Sequence, residues 1–348
     1  MVKGSGAIFR AVILVVAVGT VTAFGAMDLC LPTSNDAILN GRDEDYFQPT
    51  TVGDETSGMF GCVRSGGRRF HEGIDIKSIK RDRKGESIDP VHAVSDGTVA
   101  FTNDKPGLSN YGRYVILEHR WDGVQVFTVY AHLREVADGL VAGQPVRKAQ
   151  VIGVLGRSTN TREGIGVERA HLHFEVAMML NTNFRIWYAK RDPKAPPFGN
   201  FNGQNFSGLD PVAFLRAYAA DRKLNFNRYF ARQPVAFTVL VGARPFPWLT
   251  MHPEQIQPMS AAVAGQAPVA YEVAVSAWGM PLAVWPRAAS ELTENHARFL
   301  SRGSPVVSKV NQPELVRTTC RRLVQQVGSG WELAPAGRDW VELLTFSP

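Results

Sequence analysis

A mainly β fold, an antiparallel sheet domain followed by a smaller α+β domain, is what this chain of 348 residues predicts. Three observations lead there. Gly (32) and Pro (21) together make about 15% of the chain, and helix interiors reject both. Short β-favouring runs, at 97–101, 114–119, 124–130 and 150–155, alternate with turn signals. Between the second and third of them, Asp122-Gly123 stands with alternating apolar residues on either side, which signals a hairpin. The 45% hydrophobic and 20% charged composition is that of a globular protein and excludes disordered and collagen-like chains.

In chain order, Lys3 and Arg10 precede an apolar run from Ala11 to Ala26 that ends in small residues and is shorter than the 18 or more residues of a usual membrane span. Residues 1–26 therefore read as an export signal or N-terminal anchor, and the expected location is periplasmic or secreted. A membrane is a partner only if that segment stays uncleaved. Met27, Asp28 and Leu29 ahead of Cys30 do not suit a lipid-anchor signal. A polar arm is expected at 27–45. The β domain follows at 46–216, with an irregular Asn-, Gly- and Pro-rich rim at 181–208. Asp210 and Pro211 supply a cap and a first-turn proline for a helix ending near Lys223. The C-terminal domain, 217–348, mixes strand-like runs at 235–242, 269–278 and 340–346 with helix-like runs at 288–301 and 313–326.

The formal net charge is +6, and from Arg216 onward 14 Lys and Arg face 9 Asp and Glu. The basic residues are scattered, which reads as a solvated surface, and nucleic-acid binding is not expected. Cys30, Cys62 and Cys320 are an odd set in an oxidising compartment; a Cys30–Cys62 bridge with one thiol left over is the expectation.

Polar, metal-capable residues interrupt three of the apolar β segments. His71-Glu72-Gly73-Ile74-Asp75 offers an imidazole and a carboxylate, two ligand types that zinc accepts. In Ala170-His171-Leu172-His173-Phe174-Glu175-Val176, the strand period of two puts His171, His173 and Glu175 on one wet face and Leu172, Phe174 and Val176 in the core. Tyr130-Ala131-His132-Leu133 places a further imidazole at a strand end. Position 75 is Asp rather than His, and Gly73 disfavours a helix, so the helical His-Glu-x-x-His zinc motif does not apply. His92, His119, His252 and His296 read as ordinary structural histidines.

The order His-x-Gly-x-Asp, Tyr-x-His-Leu, His-Leu-His-Phe-Glu resembles the lysostaphin-like, LytM-type zinc metallopeptidases, which cut peptide cross-links of bacterial peptidoglycan. Phe60-Gly61, Pro90-Val91-His92-Ala93, Asp96-Gly97-Thr98-Val99, 141–146 and Ile152-Gly153 agree with it, over residues 46–216. The resemblance implies a grooved antiparallel fold in which His71, Asp75 and His173 hold one zinc ion, with water as the fourth ligand. His132 and His171 would then act on that water and on the developing oxyanion. Glu175 is either a partner that orients a ligand or an ordinary strand carboxylate. Lys148-Ala149-Gln150 departs from the Lys-Gly-Gln frequent in the family, a change that bears on turn geometry. The activity implied is that of an exported zinc metalloendopeptidase acting on peptidoglycan cross-links. Two alternatives stand beside it: a latent or non-catalytic wall-binding protein whose groove is blocked by the arm, and a peptidase for other extracellular peptides.

Overall fold

The computed structural model describes residues 26–194 and 198–348, so the expected export segment lies, except for Ala26, outside the described residues. The arm lies along the domain. Met27, Leu29, Ala37 and Ile38 are buried in the main core, Cys30 N–H donates to the Val94 carbonyl at 2.8 Å, and a single helical turn, α1 (Asp43–Tyr46), ends the segment.

A hairpin of β1 (Gly61–Arg64) and β2 (Arg69–His71) leads into β3 (Ile74–Lys77). Then come β4 (Pro90–His92), β5 (Gly97–Asn103), β6 (Arg113–Trp121), β7 (Val124–Leu133), β8 (Glu135–Val136), β9 (Pro145–Val146), β10 (Val151–Val154) and β11 (His171–Met179). After helix α2 (Phe184–Ala189), β12 (Phe206–Leu209) completes the main sheet. Its order is β12-β11-β7-β6-β5-β9, with β3 also pairing β11, and every pairing is antiparallel; β4-β10-β8 form a small second sheet. The expected hairpin joins β6 to β7, where Asp122 (φ 50°) and Gly123 (φ 90°) adopt the left-handed pair that a two-residue turn requires.

Leu172, Phe174 and Val176 do enter the core, as the period of two implies, but the opposite face of β11 is not wet. His171, His173 and Glu175 are buried as well, because Phe198 and Phe201 of the 181–208 segment pack beside Phe101 and Tyr114 on that face, and Tyr111 stacks on His173.

Helix α3 (Pro211–Ala220) begins as expected, with Asp210 accepting from the Val212 and Ala213 N–H groups, and it runs across position 216. Beyond α4 (Phe226–Ala231) stands a further, four-stranded antiparallel sheet of β13 (Phe237–Gly242), β14 (Ala270–Val275), β15 (Pro281–Arg287) and β16 (Val306–Val310), in the order β15-β14-β13-β16. Around it lie α5 (Pro247–Met251), α6 (Glu294–Leu300), α7 (Pro313–Thr318), the hairpin β17 (Val324–Val327) with β18 (Gly330–Leu333), and α8 (Pro335–Thr345). Two sequence expectations are corrected here. The run 340–346 is helical, because Pro335 opens a helix whose buried Trp340, Val341, Leu343 and Leu344 form one face. The run 313–326 stops being helical after Thr318 and turns into β17.

The two halves share one hydrophobic core, from Ile74 and Phe174 through Phe214 to Val239 and Leu344. Asn181, fully buried, donates to the Leu343 and Phe346 carbonyls at 2.7 and 2.9 Å and so satisfies the end of α8. The disulfide is Cys62–Cys320, not Cys30–Cys62: β1 abuts the C-terminal half, whereas Cys30 is a free, half-buried thiol beside Ala93. Among the described residues no helix is long and apolar enough to cross a membrane.

Candidate metal centre

Register brings the polar residues together. On β11, His173 lies opposite Asp75 of β3 on one side and Ala131 of β7 on the other, and His132 follows Ala131. His71 ends β2, and two residues later Gly73 passes so close to β11 that a Cβ there would lie 2.3 Å from the Phe174 carbonyl oxygen. The glycine of His-x-Gly-x-Asp is thus required by this approach, which delivers both His71 and Asp75 to His173.

Ligand atoms of His71, Asp75 and His173 all lie within 4.8 Å of one another, and the three residues are buried. Each imidazole is oriented by its second nitrogen. His71 Nδ1 donates to the Met59 carbonyl at 2.6 Å, which leaves the Nε2 lone pair facing inward. His173 Nε2 lies 2.9 Å from Glu175 Oε1, and the Glu175 carboxylate also accepts from the Tyr111 hydroxyl. His173 Nδ1 then stands 3.0 Å from Asp75 Oδ1 and 3.0 Å from His71 Nε2. Three acceptor atoms converging on one point repel each other unless a positive charge lies among them. Burial alone would push the His173 pKa down, yet its hydrogen bonds to Asp75 and Glu175 raise it to about 9. For Asp75, burial disfavours the charge, but the charges of His171, His71 and Arg64 with the His173 bond hold the carboxyl well below its usual range. Two imidazoles and a carboxylate in this setting fit a divalent zinc-type cation.

His132 and His171 join the cluster from the side. His132 Nδ1 donates to the Ser158 carbonyl at 2.9 Å and His171 Nδ1 to the Arg169 carbonyl at 2.7 Å, so both present Nε2 to the site. Their rings lie 4.9 Å apart by centroid, and His132 is 5.9 Å from His173. His171 Nε2 is 3.4 Å from Asp75 Oδ2. Burial pushes the pKa of each down, furthest at His132, where the neighbouring His171 and His173 add to it. His132 also has a backbone φ of 62°, a conformation a non-glycine residue rarely adopts, and its N–H is held by the Tyr111 carbonyl at 2.8 Å.

The structure therefore brings all five expected residues into one cluster, and Glu175 takes the orienting place that the strand pattern left open. Two neighbours were not expected. Tyr111 has a local signal in the Asn110-Tyr111-Gly112 turn, where Gly112 (φ 62°) would press a Cβ to 2.2 Å from the Ser158 carbonyl oxygen. Arg64 donates to His71 Nε2 at 2.8 Å and to Asp75 Oδ2, and nothing in its immediate sequence announces this. No residue of 27–45 forms a side-chain hydrogen bond with the five site residues; Asn35 is engaged with the Asp45 and Lys77 carbonyls.

Residues 69–183 match the family model described as Peptidase family M23. No curated protein sequence matches the chain. Among solved structures, the catalytic domain of lysostaphin from Staphylococcus simulans is 22% identical, with a TM-score of 0.27, over 49% of this chain and 89% of that one. Full lysostaphin is 21% identical, with a TM-score of 0.30, over 51% and 52%. Csd3 of Helicobacter pylori is 24% identical, with a TM-score of 0.28, over 57% and 42%. The chain thus spans about half of these last two.

Proposed function

We propose that the chain, whose residues 69–183 match the model of Peptidase family M23, is an exported zinc metalloendopeptidase that hydrolyses peptide bonds in the cross-links of bacterial peptidoglycan. One observation carries the reading: His71 Nε2, His173 Nδ1 and the Asp75 carboxylate converge with their lone pairs inward. A zinc ion held by them supplies Lewis acidity, polarising a peptide carbonyl and acidifying water.

The remaining residues position and move protons. His132 and His171 each present a free Nε2 at the rim of the cluster, anchored behind by a backbone carbonyl. One of them takes the proton of the attacking water on Nε2, and the imidazolium so formed faces the developing oxyanion as a donor before returning the proton to the leaving amine; the other holds the water by accepting its second hydrogen. Glu175 and Tyr111 keep His173 in the tautomer that turns Nδ1 inward. Phe198 and Phe201 cover the continuation of the same sheet face and on this reading wall the substrate groove. Residues 1–26 would direct export, after which the substrate is the wall itself.

The test is digestion of purified cross-linked muropeptides by the zinc-loaded chain, with fragments read by mass. New termini at cross-link peptide bonds, lost on chelation and restored by zinc, are expected. Muropeptides left intact by a protein that binds one zinc per chain would overturn the reading.

A further inference from the structure

We propose that Arg64 determines specificity by binding a carboxylate next to the scissile bond, so that the preferred substrates are cross-links carrying a free carboxylate at that point rather than uncharged bridges. This rests on the metallopeptidase reading above.

His71 has one lone pair to offer, on Nε2, because its Nδ1 proton is committed to the Met59 carbonyl. Arg64 donates to that same lone pair and to Asp75 Oδ2. A dication bound by His71 and Asp75 uses these atoms, and its charge repels the guanidinium, so the two exclude one another there. Arg64 must then turn outward.

Its backbone does not follow. Arg64 lies opposite Arg69 in the hairpin, two residues after Cys62, which is bonded to Cys320. Trp278 packs on Phe60 and Phe70, and the Arg321 guanidinium lies over the Phe70 ring, 5.1 Å from its centroid. The side chain therefore swings about a fixed Cα and remains at the lip of the site. The Arg64 side chain is 20% exposed whereas that of Asp75 is 1% exposed, so on leaving Asp75 the guanidinium turns toward the open groove. A second guanidinium, Arg169, is anchored nearby by the Pro49 carbonyl and Thr51 Oγ1, close enough to sense the charges of both Asp75 and Arg64. This side of the site thus carries two guanidinium groups, Arg64 and Arg169, with Glu168 near the second. A planar carboxylate matches the guanidinium fork through two parallel hydrogen bonds, whereas an uncharged glycine-like flank leaves it unpaired.

The experiment uses two cross-linked peptides that differ only in the group flanking the scissile bond, a free carboxylate or its carboxamide. The scissile amide is N-methylated so that neither is turned over. Each is titrated by calorimetry into the zinc-loaded full chain. The wild type is expected to bind the carboxylate form about tenfold to hundredfold more tightly. Arg64→Gln should bring the two within about threefold, and Arg64→Lys, which keeps the charge but loses the fork, should give an intermediate ratio. Melting temperature and zinc content of each variant show that fold and metal are retained, and Arg64→Lys carries the comparison if Arg64→Gln does not fold. Equal affinities in the wild type, or an undiminished preference in the variants, overturn the proposal. Because binding is read rather than turnover, that failure is distinct from failure of the peptidase reading, which shows as survival of the unmethylated peptides.

Discussion

Glu175 Oε1 lies 2.9 Å from His173 Nε2, and this contact decides which nitrogen of His173 faces Asp75. A carboxylate accepts, so Nε2 carries the proton and Nδ1 is left for a cation. On the proposed reading, Glu175→Ala should weaken zinc binding by about tenfold to hundredfold, as loss of such orienting partners does in metal sites generally. Competition with a chromophoric chelator measures this; unchanged affinity would mean that Glu175 is only a buried strand residue.

On the proposed reading, the five-residue cluster divides into metal holders (His71, Asp75, His173) and proton-handling residues (His132, His171). His173→Ala should abolish stoichiometric zinc binding. His132→Ala should leave zinc bound while slowing muropeptide hydrolysis by about 10²- to 10⁴-fold, the usual contribution of a positioned acid or base. Metal analysis beside initial rates separates the two outcomes, and wall hydrolysis retained in the His173 variant would contradict the assignment.

Away from the site, His119 links stability to pH. Its Nδ1 donates to the Asp96 carbonyl at 2.8 Å, and burial lowers its pKa to about 4 from an ordinary 6.5. Above pH 6.5 both folded and unfolded forms are neutral and the group has no effect. Between 6.5 and 4 the unfolded chain takes up a proton that the folded chain refuses, so stability falls as the pH drops, by about 3 kcal/mol in total. Urea denaturation of the wild type and His119→Gln at pH 7, 5.5 and 4 should show a shallower decline in the variant; parallel declines would refute the linkage.

Ala149 has a φ of 65°, in the left-handed region that disfavours a Cβ, and its side chain is exposed. Ala149→Gly should therefore stabilise the protein by about 1 kcal/mol, roughly 1–2 °C in melting temperature for a chain of this length. Calorimetry of the two proteins decides it.

Much of the site was legible because strand periodicity is local. His171, His173 and Glu175 had to share a face, and the Asp122-Gly123 turn set the β6–β7 hairpin beside them. What covers that face was legible only in part: Phe198 and Phe201 belong to the rim expected at 181–208, whereas Tyr111 comes from a distant turn. Arg64 escaped notice for the same reason: only the folded β1–β2 hairpin sets it over His71 and Asp75. The apolar cluster at Trp340–Leu344 reads equally well as strand or helix until Pro335 and its burial against the core decide it. The cysteine pairing spans a sequence separation of 258 residues, beyond any inference from spacing.

The Cys62–Cys320 bond bears on how this protein can be divided. The family match begins at residue 69, yet the carbonyl that orients His71 belongs to Met59, and the strand holding Arg64 is stapled to the far end of the chain. A truncated recombinant fragment cut between the halves would lose that staple and uncover Phe60 and Phe70 where Trp278 now shields them, leaving an aggregation-prone patch beside a loosened ligand strand. The smallest autonomous folding unit is thus larger than the stretch that matches the family.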